Sequence, residues 1–475
     1  MLTDPIRKLA HPTPLSEVTL YSASMVIPVT GPIIPEGAVA VSNGRVVHVG
    51  TRQWVLNILK DEMPSDSYIQ MFRNEKHWHG LMTPGLINAH THLQYTNMAS
   101  VGRGEYRNFH DWEQGFNVVY DKLQEDKQKN PSLTTWKTSA YEGARMMVES
   151  GTTAAADIVT DIEAVGALAS QGMHGIAYWE VMGWKNVDWK EEGYAKLLEM
   201  LGHMMDNGRV PSIGISPHAP YSLETEPFVD LPDIARQLNM RLHIHLAETP
   251  MEAGNHADTL TTYSAPDWNA NVWASYSELK AHGMTASAIQ FLDQLGSLGP
   301  DVHIAHGVWA DGEDRRILRQ RGVGVALCPR SNRITVTERD APIRDYMEEG
   351  NLLAIGTDSL SSSPSLDVLD DAAKVYDLAT AQGYRKDDLT HRIIRMLTLG
   401  GASVMGLHVG PHRIGQINAG ATADLAFFDI PTDTSSPQGV EGLCTILCVT
   451  VQVVQKQQLF LEILYTIMVL SLIHI

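Results

Sequence analysis

From about Leu81 onward the chain repeats one pattern: a brief apolar run ending in a polar or histidine-bearing tip, then a longer stretch with helical spacing. Alternating parallel strands and crossover helices read this way, because a strand covered on both faces is apolar throughout while its helix is apolar on one side. Eight such runs occur: Gly85–Ala89, Thr153–Ile158, Gly175–Glu180, Ser212–Ser216, Arg241–Leu246, Asp301–Ala305, Gly324–Cys328 and Leu352–Gly356. Eight strand–helix units are enough to close a (β/α)₈ TIM barrel. Residues 16 to 80 read differently. Short β-type runs such as Ala38–Val41 and Arg45–Val49, parted by Gly and Pro turns, predict a small separate β-domain.

A chain of 475 residues accommodates both bodies. Its 36 Lys+Arg against 55 Asp+Glu give a formal charge of -19, which repels phosphate backbones and anionic lipid, so neither nucleic acid nor membrane is an expected partner. A small heterocyclic substrate suits it better, with self-association into a homo-oligomer left open. Three cysteines, Cys328, Cys444 and Cys448, form no disulfide framework, and Met1 to Pro14 has no apolar signal-peptide core. The expectation is a cytoplasmic enzyme.

The chemistry gathers at strand ends, where barrel enzymes build their sites. His90 and His92 lie two apart, so on a strand both imidazoles project to one face and can grip one ion. Taken alone, that tripeptide is no more than a chance match. Three further strand ends change the balance: His245 with Glu248, His306 in Ala-His-Gly, and Asp358 in Gly-Thr-Asp-Ser. Imidazoles His90, His92 and His245 with carboxylate Asp358 suit one divalent ion, Zn²⁺ first and Fe²⁺ second, and leave a position open for an activated water. Glu248, three residues past His245, is placed to shuttle protons to a substrate. His306 and Asp358 complete the catalytic set, His306 steadying developing charge and Asp358 accepting the water's proton. His243 points the same way as His245 but deeper, and reads as a buried structural histidine. The methionine pairs Met146–Met147 and Met204–Met205 read as core, and no role is assigned to Trp112, Trp179 or Trp184.

Competing chemistries lack their signatures. There is no Pro-Cys-x-x-Cys of cytidine deaminases, no His-Glu-x-x-His, no Gly-x-Ser-x-Gly and no Walker loop. A barrel kept only for binding would be expected to have lost a ligand or the proton shuttle, and all are present.

The segments Leu86-Ile87-Asn88-Ala89-His90-Thr91-His92, His245-Leu246-Ala247-Glu248-Thr249, Ala305-His306-Gly307 and Gly356-Thr357-Asp358-Ser359 resemble the amidohydrolase superfamily over roughly residues 16 to 430. The nearer resemblance is to the branch of methylthioadenosine and adenosylhomocysteine deaminases, aminodeoxyfutalosine deaminases and triazine chlorohydrolases. Ser216-Pro217-His218-Ala219-Pro220-Tyr221-Ser222 and Cys328-Pro329-Arg330-Ser331-Asn332 also match that branch. The resemblance implies one divalent metal and a substrate contact at His218. It implies a mononuclear site too, since the fourth strand, Ile213 to His218, lacks the lysine of binuclear relatives. The expected reaction is deamination of an adenine nucleoside, with Leu93-Gln94-Tyr95-Thr96 most like aminodeoxyfutalosine deaminases. Guanine, cytosine, chlorotriazine and imidazolonepropionate remain alternatives on the same fold.

Gly415 to Asp429 resembles the point where such a chain rejoins its β-domain, so the expected division is a discontinuous β-sandwich of 1–80 and 412–433 around a barrel of 81–411. Residues 434–475 lose the family pattern. Their closing Leu-Ser-Leu-Ile-His-Ile reads like translated adapter DNA, so this tail is expected to be a frameshift or assembly artefact. Leu459–Ile475 is short for a membrane span and carries Glu462.

Overall fold

All eight apolar runs become strands in the computed structural model, which describes residues 15, 17–130, 132–133, 135–206, 212–254, 275–281 and 284–429. The segment 434–475 lies outside the described residues. Two compact units divide the chain: the residues up to Gly85 and from Leu407, and the stretch Leu86–Gly406.

In the first unit, β1 (Thr19–Val26), β2 (Ile34–Ser42), β3 (Arg45–Thr51), β4 (Lys76–Pro84) and the late strand Leu425–Asp429 form one sheet. Its spatial order runs from the late strand through β4, β1 and β2 to β3. The late strand pairs antiparallel with β4, which is how the chain rejoins this sheet, and β1 pairs parallel with β4. Two helices not foreseen from the sequence, α1 (Arg52–Glu62) and α2 (Ser65–Arg73), supply the layer on one face. Val55, Leu56 and Leu59 of α1 and Met71 of α2 pack on Leu20, Ala38, Ala40 and Val47. The Thr51 side chain caps α1 by accepting from the Trp54 N–H. So the expected separate β-domain is present; among the described residues it is one five-stranded sheet with a helical layer on that face, where a β-sandwich was expected.

The second unit is the barrel. Its strands are β5 (Leu86–Thr91), β6 (Thr152–Val159), β7 (His174–Val181), β8 (Ile213–Pro217), β9 (Leu242–Leu246), β10 (Val302–His306), β11 (Gly324–Leu327) and β12 (Leu353–Ile355), paired in chain order. All neighbours run parallel, so every C-terminal tip opens at the same end. Between β5 and β12 the closure uses other bonds. The Asp358 N–H donates to the His90 carbonyl at 2.9 Å, the Thr357 N–H to Asn88 Oδ1 at 3.1 Å, and Asn88 Nδ2 to Thr357 Oγ1 at 2.7 Å. Gly356 permits that approach, since a Cβ there would lie 2.7 Å from the His90 Cβ and 2.9 Å from its backbone. Strands β5 and β9 to β12 are buried along their length, as the continuous apolar runs foretold.

Candidate active site

Strand alternation brings His90 and His92 from the end of β5 to the mouth together, both buried. His245 arrives from β9, and one nitrogen each of His90, His92 and His245 lie within 4.8 Å of one another. The Nε2 atoms of His92 and His245 are 3.1 Å apart. Asp358, just past β12, holds its Oδ1 3.6 Å from Nε2 of both His90 and His92. Its carboxylate is steadied by two donors, the Ser331 hydroxyl at 2.7 Å and the Ser359 N–H at 2.7 Å. His306 ends β10, its Nδ1 2.9 Å from Asn332 Oδ1 and its Nε2 3.8 Å from Glu248 Oε1. Two of these residues have left-handed backbones, His306 at φ 74° and Asp358 at φ 60°, a conformation that costs a residue with a Cβ and gathers at functional sites.

Glu248 sits on a turn built around another carboxylate. Glu252 accepts from the N–H groups of Ala247 at 2.7 Å, Glu248 at 2.9 Å and Thr249 at 2.9 Å, fixing the loop that aims Glu248. Sequence reasoning missed Glu252, although Thr249-Pro250-Met251-Glu252 is a capping-box pattern with proline in the first helical position.

Burial sets the protonation states. It pushes His92 down to about 3 and His218 down to about 4, and holds His90 and His245 below their ordinary value, the neutral form a metal requires. Burial, reinforced by the Asp358 charge and opposed by His306, raises Glu248. His306 is raised despite its burial because Glu248 and Asp358 face it. Burial works against Asp358 ionising, but the facing imidazoles, His90 first and then His92 and His306, outweigh it and hold the carboxyl well below its ordinary range.

A cavity of about 230 Å³ opens over these groups, lined by His92, His218, His245, Glu248, His306 and Asp358. His218 lines the cavity with its ring 4.9 Å from that of His245 and its Nδ1 2.7 Å from the Ser222 hydroxyl. Part of the cavity's lining is aromatic, formed by Tyr95, Phe109, Trp112 and Phe116, with the Tyr95 ring stacked on that of His92 at 5.6 Å. Trp112, left without a role above, is one of these; Trp179 and Trp184 are not. Glu180, from the end of β7, also lines the cavity, and its Oε1 has no hydrogen-bond partner. Burial raises its carboxyl to about 8, the Asp358 charge adding to the shift. Its only signal in the sequence was its position at a strand tip.

The donor set fits a divalent ion on its own chemistry: buried neutral imidazoles, one of them with an orphaned Nε2 at His90, face an ionised carboxylate. Residues 81–452 match the model of the amidohydrolase family. The chain belongs to that family. Among the curated amidohydrolases it resembles a 5-methylthioadenosine/S-adenosylhomocysteine deaminase of Moorella thermoacetica, 28% identical over 419 residues covering 85% of this chain and 84% of the other. A 5'-deoxyadenosine deaminase of Methanobrevibacter smithii is 26% identical over 414 residues, covering 83% and 80%. An adenosine deaminase structure from Xanthomonas campestris with bound zinc shares the fold at a TM-score of 0.68, with 22% identity and coverage of 88% and 86%. Among the described residues no helix is long and apolar enough to cross a membrane.

Proposed function

We propose that this amidohydrolase deaminates adenine nucleosides whose 5′ position carries an apolar or thioether group in place of the hydroxyl, releasing ammonia. The observation that carries this reading is the convergence of Glu248, His306 and Asp358 on one cavity with an aromatic lining, beside His90, His92 and His245. His90, His92, His245 and Asp358 would hold the metal, for which zinc is the proposed identity. When bound, such an ion supplies the Lewis acidity that makes water a nucleophile near neutral pH. Glu248, its carboxyl pKa raised by burial, donates to the ring nitrogen beside the carbon under attack. Asp358 takes the attacking water's proton and passes it to the amino nitrogen. The carbon–nitrogen bond then breaks, ammonia leaves, and the new hydroxyl returns a proton to Glu248 as the carbonyl forms. His306, hydrogen-bonded to Asn332 through Nδ1, presents its other nitrogen to the charge that builds on the added oxygen. His218 and Glu180 supply polar contacts for the ribose, and Trp112 and Phe116 an apolar wall for the ring and the 5′ substituent.

Two relatives support the substrate class, since methylthioadenosine, adenosylhomocysteine and 5'-deoxyadenosine all lack the 5′ hydroxyl. The test is ammonia release by zinc-loaded protein offered those three nucleosides, aminodeoxyfutalosine, adenosine, guanine, cytosine and a chlorotriazine. Ammonia from the 5′-modified adenine nucleosides, with adenosine slower, is the expected result. Turnover confined to guanine or cytosine, or chloride release alone, would overturn it.

A further inference from the structure

His243 lies one layer below the mouth on β9, completely buried, and takes no part in the reaction described above. Its Nε2 is 2.7 Å from His90 Nδ1, and its own Nδ1 is 3.1 Å from the backbone oxygen of His303. The His303 ring stacks on it with centroids 3.8 Å apart, and His303 Nε2 lies 3.3 Å from the carbonyl of Ala89. A carbonyl oxygen only accepts, so His243 Nδ1 must carry hydrogen. In the neutral ring, the form a dry interior favours, Nε2 is then a bare lone pair that can only accept. His90 Nδ1 must in turn be the donor. That leaves His90 Nε2 without hydrogen, and this is the nitrogen with no hydrogen-bond partner, 3.6 Å from Asp358 Oδ1.

We infer that His243 is a positioning residue which, relaying from the His303 carbonyl, locks His90 in the one tautomer whose lone pair faces the metal site. His245 achieves the same through the backbone, its Nδ1 lying 3.2 Å from the carbonyl of His218. At His90 the acceptor is a side chain, so substitution can remove it. Outer partners of ligand histidines are worth about 10–100-fold in metal affinity. The inference rests on His90 being a ligand, as proposed above.

The test is zinc affinity by chelator competition for wild type, His243→Leu and His243→Gln, with folding checked by circular dichroism. Leucine fills the space without an acceptor, whereas the glutamine carbonyl can reach the place of Nε2. Zinc binding about 10–100-fold weaker in His243→Leu, and within about threefold of wild type in His243→Gln, is expected. Equal affinity in wild type and folded His243→Leu overturns the inference, as does a folded His243→Gln no better than leucine. Wild type that binds no zinc instead sinks the reading of the whole site. If the variants do not fold, ¹⁵N-histidine spectra of the zinc-free wild type decide: both His90 and His243 should be Nδ1–H tautomers, and an Nε2–H form of either overturns the relay.

Discussion

Two polar clusters in this molecule, one half-buried and one buried, follow opposite rules. In the five-stranded unit, Glu75 receives Arg52 in a two-pronged pair at 2.7 and 2.6 Å and the Ser22 hydroxyl as well, so each charge meets its complement inside the protein. At the barrel mouth, Nε2 of His90 and Oε1 of Glu180 are buried with no hydrogen-bond partner. Unsatisfied buried polar atoms cost about 1–3 kcal/mol each, so folding alone gives no reason to collect them at one point. The first cluster is finished by folding; the second is left open toward a ligand.

The sharpest way to break this contrast is to remove a group from the open cluster. Asp358→Ala should lower kcat/KM by about 10⁴-fold or more, since it deletes both a ligand and a proton acceptor, and zinc retained after gel filtration should fall with it. Full activity with tight zinc would take Asp358 out of the site. Glu248→Gln should cost somewhat less, about 10²–10⁴-fold in kcat, with zinc content unchanged because no ligand is lost. A loss of zinc in that variant would mean Glu248 serves the metal and not the substrate. The smallest effect belongs to the closed cluster. Glu75→Gln should lower stability by about 1 kcal/mol at pH 7 and leave the turnover of folded protein unaltered. Because the Arg52 hydrogen bonds hold Glu75 below its ordinary value, that stabilisation is present above the ordinary carboxyl range and lost as pH falls through it. Denaturation curves of the two proteins should therefore converge in acid; a gap that persists there would reassign the effect to packing.

How much of this was visible in the sequence depends on the range of the interaction. The barrel strands were legible because each is a short, largely buried run, and the histidine tips were legible because a two-residue spacing fixes which face a side chain takes. Helices α1 and α2 escaped notice inside a stretch read for β-type runs, although Val55, Leu56 and Leu59 carry helical spacing behind the Thr51 cap. His243 was correctly read as buried, but its bond to His90 crosses the barrel from β9 to β5 and leaves no local trace. Glu180 and the aromatic wall were hidden for the same reason: Tyr95, Trp112 and Glu180 meet at the cavity only because parallel strands raise their following loops on one side.

The closure between β5 and β12 has a consequence for how the chain is assembled. Those two strands are joined by a handful of bonds at Asn88, His90, Thr357 and Asp358, and the proposed ligands His90 and Asp358 stand on opposite sides of that seam. An ion gripped by both is a clasp between the first and last strands of the barrel, closing the longest loop the barrel contains. Metal loading would then tighten a seam the fold has already closed, and the loaded protein should resist unfolding more than the zinc-free one.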